Sequence, residues 1–279
     1  MEVCQKDSKV GSGGYEFNNR DILIPTGPPF LLFLSIFVVI KGIDFASSPM
    51  FFNSIRAFYD PTCLYKFCNF NAFNSISSAS KRLFRVLGGP FWRVPTGRRD
   101  GTISNGSEAF SNIPPPTGNL STLQRLFFDH GLNLTDLVLL SGAHTIGVSH
   151  CSSFSYRLYN FTGVGDQDPA LDPEYAANIK AKKCTNPNDN TTKVGMDPGS
   201  RKTFDLSYYS LLLKRRGLFQ SDAALTTNST TKTLVTQLLQ GPIQNFYDEF
   251  AKSMEKMGRI NVKTGSTGEI RKQCAVVNS

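Results

Sequence analysis

Asp136-Leu-Val-Leu-Leu-Ser-Gly-Ala-His-Thr-Ile-Gly-Val-Ser-His-Cys151 is the stretch on which the fold turns. It opens on a residue suited to cap a helix, runs through apolar positions, and ends in two small residues followed by an imidazole, His144. Two of the chain's three histidines, His144 and His150, lie within it. Neutral imidazole is a good ligand for transition metals. The small neighbours Gly142 and Ala143 suggest that a flat macrocycle can approach closely. Read on its own, a lone histidine at a helix end is more often structural, and both readings stand at this point.

Outward from this stretch the local signals are helical. Ser121-Thr-Leu-Gln124 reads as a capping box, and Gly131 stops that helix. Thr135 or Asp136 caps the next one, which runs through Leu137 and Leu140. Asp172-Pro173-Glu174 places a cap before a proline at the first helical position. Lys180, Lys182 and Lys183 sit near the other end, where the helix dipole favours cations. Asp205 is read as the cap of a helix reaching Arg216 and halting at Gly217. Ile243, Phe246, Tyr247, Phe250, Met254 and Met257 recur in steps of three and four and end at Gly258. The sequence predicts a mainly α domain without a parallel sheet. Mutually consistent signals, as foldable sequences require, begin near Gly88. We therefore divide the chain into an atypical N-terminal region, 1–85, and a folded domain, 86–279.

The totals bound the function. With 30 basic and 22 acidic residues the chain carries a formal charge of +8, which permits binding to acidic polymers such as wall polysaccharide. The basic residues are dispersed apart from short groups such as Lys214-Arg215-Arg216, which argues against nucleic-acid binding. Cys4, Cys63, Cys68, Cys151, Cys184 and Cys274 show no zinc-site spacing. Asn105, Asn119, Asn133, Asn160, Asn190 and Asn228 each open an Asn-x-Ser/Thr sequon, which favours a secreted, glycosylated protein in which disulfides persist. The apolar run 30–40 is short for a membrane span and suits a signal-peptide core, although the acidic residues before it do not.

The stretch 136–151 resembles the proximal-haem motif of the class III, or secretory plant, peroxidases. GGPFWRVPTGRRDG at 88–101, MDPGSRKTFDLSYY at 196–209 and KRRGLFQSDAALTTN at 214–228 are similarly characteristic of that family. The resemblance runs from Gly88 to the C-terminus, about two-thirds of the chain. It implies a haem peroxidase fold with its proximal half well represented and its distal half incomplete. It implies haem b, with His144 as axial ligand and Asp222 accepting a hydrogen bond from the other ring nitrogen. A carboxylate there makes the imidazole a stronger electron donor. It implies one proximal calcium site built from Thr145, Asp197, Ser200, Thr203 (through its backbone carbonyl) and Asp205, oxygen ligands suited to a hard cation. It also implies a Cys151–Cys184 disulfide and an aromatic-donor contact at Pro114. The substrates it implies are hydrogen peroxide and small phenolic donors, handled by a monomer. Cys274 pairs in the family with a cysteine near where Ala72 stands, so here it is left unpaired or rerouted to Cys68 or Cys63.

One part of the family pattern does not occur in these 279 residues. A peroxidase needs a base to take a proton from peroxide and a cation to help part the O–O bond. The family supplies them as a distal histidine and arginine in an R-x-x-FHDCFV-type helix, beside a distal calcium loop. No such helix or loop is found. His130 reads as a surface residue at a helix end and His150 as structural. Faint family traces at 40–45 and 58–63 stand in reversed order. Three readings follow: a peroxidase, a haem-binding relative without turnover, or a faulty gene product in which residues 46–85 are non-coding or frame-shifted sequence.

Overall fold

The structure is a computed structural model and describes residues 84–95, 97–103, 111–272 and 277–278. The apolar run 30–40, the region 46–83, Ala72, Asn105, and Cys4, Cys63, Cys68 and Cys274 lie outside the described residues. So do the readings attached to them.

Eight α-helices and two short strands order the described residues. They are α1 (Leu120–Asp129), α2 (Leu134–Ser141), β1 (Val148–His150), α3 (Ser155–Tyr159), α4 (Pro173–Lys182), β2 (Lys193–Gly195), α5 (Ser207–Leu213), α6 (Gln220–Ala224), α7 (Ser229–Gln240) and α8 (Ile243–Met257). The expected mainly α fold is found. The strands pair antiparallel, with Ser149 opposite Val194. No helix among the described residues is long and apolar enough to cross a membrane.

Helix α2 is the hub: α1, α7 and α8 pack on it, and α5 packs against α7 and the turn that follows α2. The repeat read in α8 buries Phe246, Phe250, Met254 and Met257. These meet Phe84, Trp92, Phe204, Tyr208 and Tyr209 in the larger core. A second apolar cluster gathers Phe154, Leu158, Ile179, Met196, Leu218 and Phe219 around Cys151 and Cys184.

Side-chain caps explain where α1, α2, α4 and α7 begin, and three readings are corrected. Helix α1 is capped by Asn119, whose side chain accepts the Thr122 N–H at 2.9 Å. Ser121 lies inside the helix and donates to the same Asn119 oxygen at 2.8 Å, so the box read at 121–124 is not formed. Helix α2 is capped by Asn133, and Asp136 is the reciprocal member of that box rather than the cap. Helix α5 ends at Leu213, short of Arg216, because Arg215 turns into the left-handed region at φ 58°. Asp205 stands one residue before the Leu206 cap and accepts the Ser207 N–H at 2.9 Å. The Asp172 cap with Pro173 behind it, and the stop at Gly131 with φ 73°, are as read. Asn119, Asn133 and Asn228 thus cap α1, α2 and α7, and all five sequon asparagines among the described residues are exposed.

The GRRDG segment is a clamp on the C-terminal tail. The buried Arg98 guanidinium donates to the carbonyls of Gly258 at 2.6 Å and Ile260 at 2.8 Å. Asp100 and Glu269 exchange backbone hydrogen bonds. Arg271 reaches the Gly101 carbonyl at 3.1 Å.

Cys151 and Cys184 are joined, 33 residues apart in sequence. In the chain-entropy account a closed loop of that length stabilises the fold by about 3.5 kcal/mol. The double substitution Cys151→Ser/Cys184→Ser is expected to lower unfolding free energy by that order, measured as a shift in denaturant midpoint. An unchanged midpoint would show that the cross-link constrains nothing the native contacts do not already hold.

Candidate functional site

After Ser141 the chain tightens into a 3₁₀ turn, Gly142–Thr145, that carries His144. A side chain on Gly142 would meet the Tyr209 hydroxyl at 2.5 Å and the Phe246 ring at 2.8 Å. Its smallness is therefore required by the core behind the turn. Ala143 is likewise fully buried in that core.

His144 is 1% exposed, and its Nδ1 lies 2.6 Å from Asp222 Oδ1. The carboxylate is positioned by the first turn of α6. Its Oδ2 accepts the Phe219 N–H at 2.8 Å, so Asp222 caps its own helix while it holds the imidazole. Tyr208 donates to Oδ1 as well, at 3.0 Å. Burial first, and then the Asp222 charge, push the Tyr208 phenol well above its ordinary pKa, so it remains a donor. The rings of Tyr208 and Phe219 stand edge-on to the imidazole at 5.8 Å and 5.3 Å. Gly217 allows the approach of α6, because a Cβ there would come within 2.7 Å of Asp222 Cβ. The Gly217 and Leu218 carbonyls each accept from Arg157 Nη1 at 2.8 Å.

His144 forms part of the wall of a pocket lined also by Pro114, Pro116, Leu123, Leu137, Ser141, Phe219 and Ser221. The wall is apolar apart from the imidazole and two serines. Pro114 is buried in it, and the Ser221 N–H donates to the Pro116 carbonyl at 2.9 Å, tying this loop to α6. An apolar wall with a single oriented imidazole fits a flat apolar cofactor ligated through a metal.

Behind the turn lies a group of oxygens. Thr145 Oγ1 donates to Asp205 Oδ1 at 3.0 Å, Ser200 Oγ donates to Asp205 Oδ2, and Ser207 Oγ donates to Asp197 Oδ2. Thr203 joins the same loop through its N–H to the Ser200 carbonyl at 2.7 Å. Burial raises the Asp205 carboxyl, and hydrogen bonds from Ser200, Ser207 and Thr145 outweigh it, leaving its pKa below the usual carboxylate value. No group of three or more His, Cys, Asp or Glu side chains gathers among the described residues. This cluster therefore rests on two carboxylates supplemented by hydroxyls.

The other histidines serve the scaffold. His130 is only 5% exposed, which corrects its reading as a surface residue. Its Nδ1 lies 2.5 Å from the Leu126 carbonyl at the end of α1. His150 Nδ1 lies 2.8 Å from the Asn190 carbonyl. Sequence reading missed Tyr208, Phe219, Ser207 and Arg157. A tyrosine in an apolar helix reads as core, and nothing local marks its hydroxyl. Arg157 left a signal, an arginine between Tyr156 and Leu158 with Asp168 eleven residues on.

Comparison with known proteins places this geometry. The family model described as Peroxidase matches residues 74–241. Peroxidase 3 of Arabidopsis thaliana is 69% identical over 204 residues, covering 73% of this chain and 63% of that protein. Peroxidase 39 of the same plant is 66% identical over 203 residues, covering 73% of this chain and 62% of its own length. Peroxidase 1 of Oryza sativa subsp. japonica is 53% identical over 194 residues, covering 68% and 59%. The chain thus spans roughly three fifths of these relatives. A match of this extent, over the segment that builds the buried His144–Asp222 pair, leaves one assignment: the chain belongs to the peroxidase family, in its secretory plant class.

Proposed function

We propose that this chain is a peroxidase that holds haem b through His144 and oxidises small phenolic donors with hydrogen peroxide. The observation that carries the reading is the buried His144–Asp222 pair on the wall of an apolar pocket. Haem, when bound, supplies the iron at which peroxide is reduced and donors give up electrons. The remaining work belongs to the chain. Asp222 accepts a hydrogen bond from the His144 Nδ1–H, which fixes the tautomer and leaves Nε2 as the nitrogen that would ligate the iron. Phe219 and Tyr208 pack nearly perpendicular to the ring. Pro114, on the same wall, is our candidate for the donor contact, through its backbone carbonyl.

Calcium is the second cofactor we propose, held by Thr145, Asp197, Ser200, Asp205 and the Thr203 carbonyl. Hard oxygen ligands with two carboxylates support that choice. Thr145 directly follows His144, so an ion there would brace the backbone of the axial ligand. Secretion and glycosylation are supported by the exposed sequons and by the family, and we extend the same reading to a monomer in contact with wall polysaccharide.

A second reading has its own observation. The three histidines all fall between positions 130 and 150, and His130 and His150 are engaged by backbone carbonyls. Their placement supports, as the second reading, a haem binder with slow peroxide turnover.

The test is reconstitution of the full chain with haem. The wild type is expected to give a Soret band, and His144→Ala to lose it and regain it in part with added imidazole. A His144→Ala Soret band identical to wild type would sink the axial assignment. Turnover of a phenolic donor with peroxide separates the two readings: rapid turnover supports the first, and a Soret band without turnover supports the second.

A further inference from the structure

We propose that Tyr208 is a positioning residue that sets how strongly His144 donates to its ligand, by sharing the one carboxylate oxygen that holds the imidazole. Asp222 Oδ1 takes both His144 Nδ1 at 2.6 Å and the Tyr208 hydroxyl at 3.0 Å. Oδ2 is engaged separately by the Phe219 N–H at 2.8 Å. A carboxylate oxygen has room for two donors. Each additional donor draws off negative charge and weakens the hold on the others, most of all in a buried, low-dielectric setting. The His–carboxylate bond is the lever through which a protein tunes an axial imidazole. Tyr208 therefore opposes Asp222: the carboxylate pulls on the Nδ1 proton, and the phenol moderates that pull.

Packing alone does not account for the hydroxyl. The Tyr208 ring already fills the space beside His144, edge-on at 5.8 Å, as a phenylalanine would. The adjacent Tyr209 shows what a merely structural hydroxyl does here, since it donates to the Val138 carbonyl at 2.9 Å and secures the end of α2. The Tyr208 hydroxyl goes instead to the carboxylate.

The inference rests on His144 being the haem ligand, and its test separates the two claims. The variant is Tyr208→Phe in the full chain, which removes the hydroxyl and keeps the ring. In the apoprotein labelled with ¹⁵N-histidine, the His144 Nδ1 proton is expected to move downfield as Asp222 turns fully to it. In the haem-loaded protein the iron reduction potential is expected to move to a more negative value. Global 3-fluorotyrosine substitution, which makes the phenol a stronger donor without changing its shape, is expected to move both readouts the opposite way. It also keeps the test open if Tyr208→Phe does not fold. An unchanged proton resonance in the fluorinated protein, and in Tyr208→Phe where it folds, overturns the proposal. Failure of the wild type to take up haem overturns the reading of the site and leaves the sharing of Asp222 to the apoprotein resonance.

Discussion

Arg157→Met is expected to lower the unfolding free energy by about 3–5 kcal/mol, the range for breaking a buried ion pair from one side. Arg157 is 0% exposed and its Nε lies 2.7 Å from Asp168 Oδ2. Removing the guanidinium leaves the Asp168 charge buried, with the Ala170 N–H at 2.8 Å as a remaining donor. It also strips the Gly217 and Leu218 carbonyls of their shared donor, Arg157 Nη1. Those carbonyls precede α6, so the effect reaches Asp222 through the backbone. Arg157→Lys does not rescue fully, because an ammonium is a single point of charge and the guanidinium is a fork. Adding Asp168→Asn to Arg157→Met is expected to restore part of the loss, since the stranded charge is then gone. Denaturant unfolding of the full chain reads all three. A loss below about 1 kcal/mol for Arg157→Met would mean that the pair stabilises no more than a surface bridge does.

The second large effect is expected at Phe204, where truncation to alanine removes the centre of the aromatic core. Phe204 contacts Phe84 and Phe250 at ring-centroid distances of 4.9 Å each, and stacks on Phe246 at 5.3 Å. A Cβ on Gly89 would come within 2.8 Å of the same ring, so the GGP segment is laid directly on it. The Phe204 N–H also donates to the Leu87 carbonyl at 2.7 Å. Helix α8 and the 84–92 segment thus converge on one side chain, and the cavity cannot close by moving either one alone. Buried Phe→Ala changes lose about 3–5 kcal/mol under such conditions. Phe204→Leu, which keeps most of the volume, is expected to lose distinctly less. Equal losses for the two variants would show that the shape of the ring, and not the volume it fills, carries the energy.

What was legible from sequence follows from what is local. Helix α8 was read to its last residue because its buried face repeats every three to four positions. Helix α4 was read because its cap and its proline are adjacent. At α1 the local signal was ambiguous, since Asn119 and Ser121 are both good caps, and only the observed hydrogen bond to Thr122 decides between them. His130 was misread because burial at a helix end is decided by what packs over it. The site is less local still. His144 and Asp222 are 78 residues apart, and Arg157 and Gly217 are 60 apart. No periodicity or capping rule joins them. The first pair was anticipated by resemblance to a family, and the second was not anticipated at all.

The asparagines that begin α1, α2 and α7 divide one amide between two tasks. Each caps its helix through Oδ1, to Thr122, Asp136 and Thr230 respectively, at 2.8–2.9 Å. A sugar on any of them would be carried by the other atom, Nδ2, so attachment and helix initiation do not compete. An aspartate in the same place keeps the oxygen and loses the nitrogen, so it would spare the helix and forfeit the sugar. An alanine would surrender both. For these three helices, the amide that could carry a sugar and the amide that starts the helix are one and the same side chain.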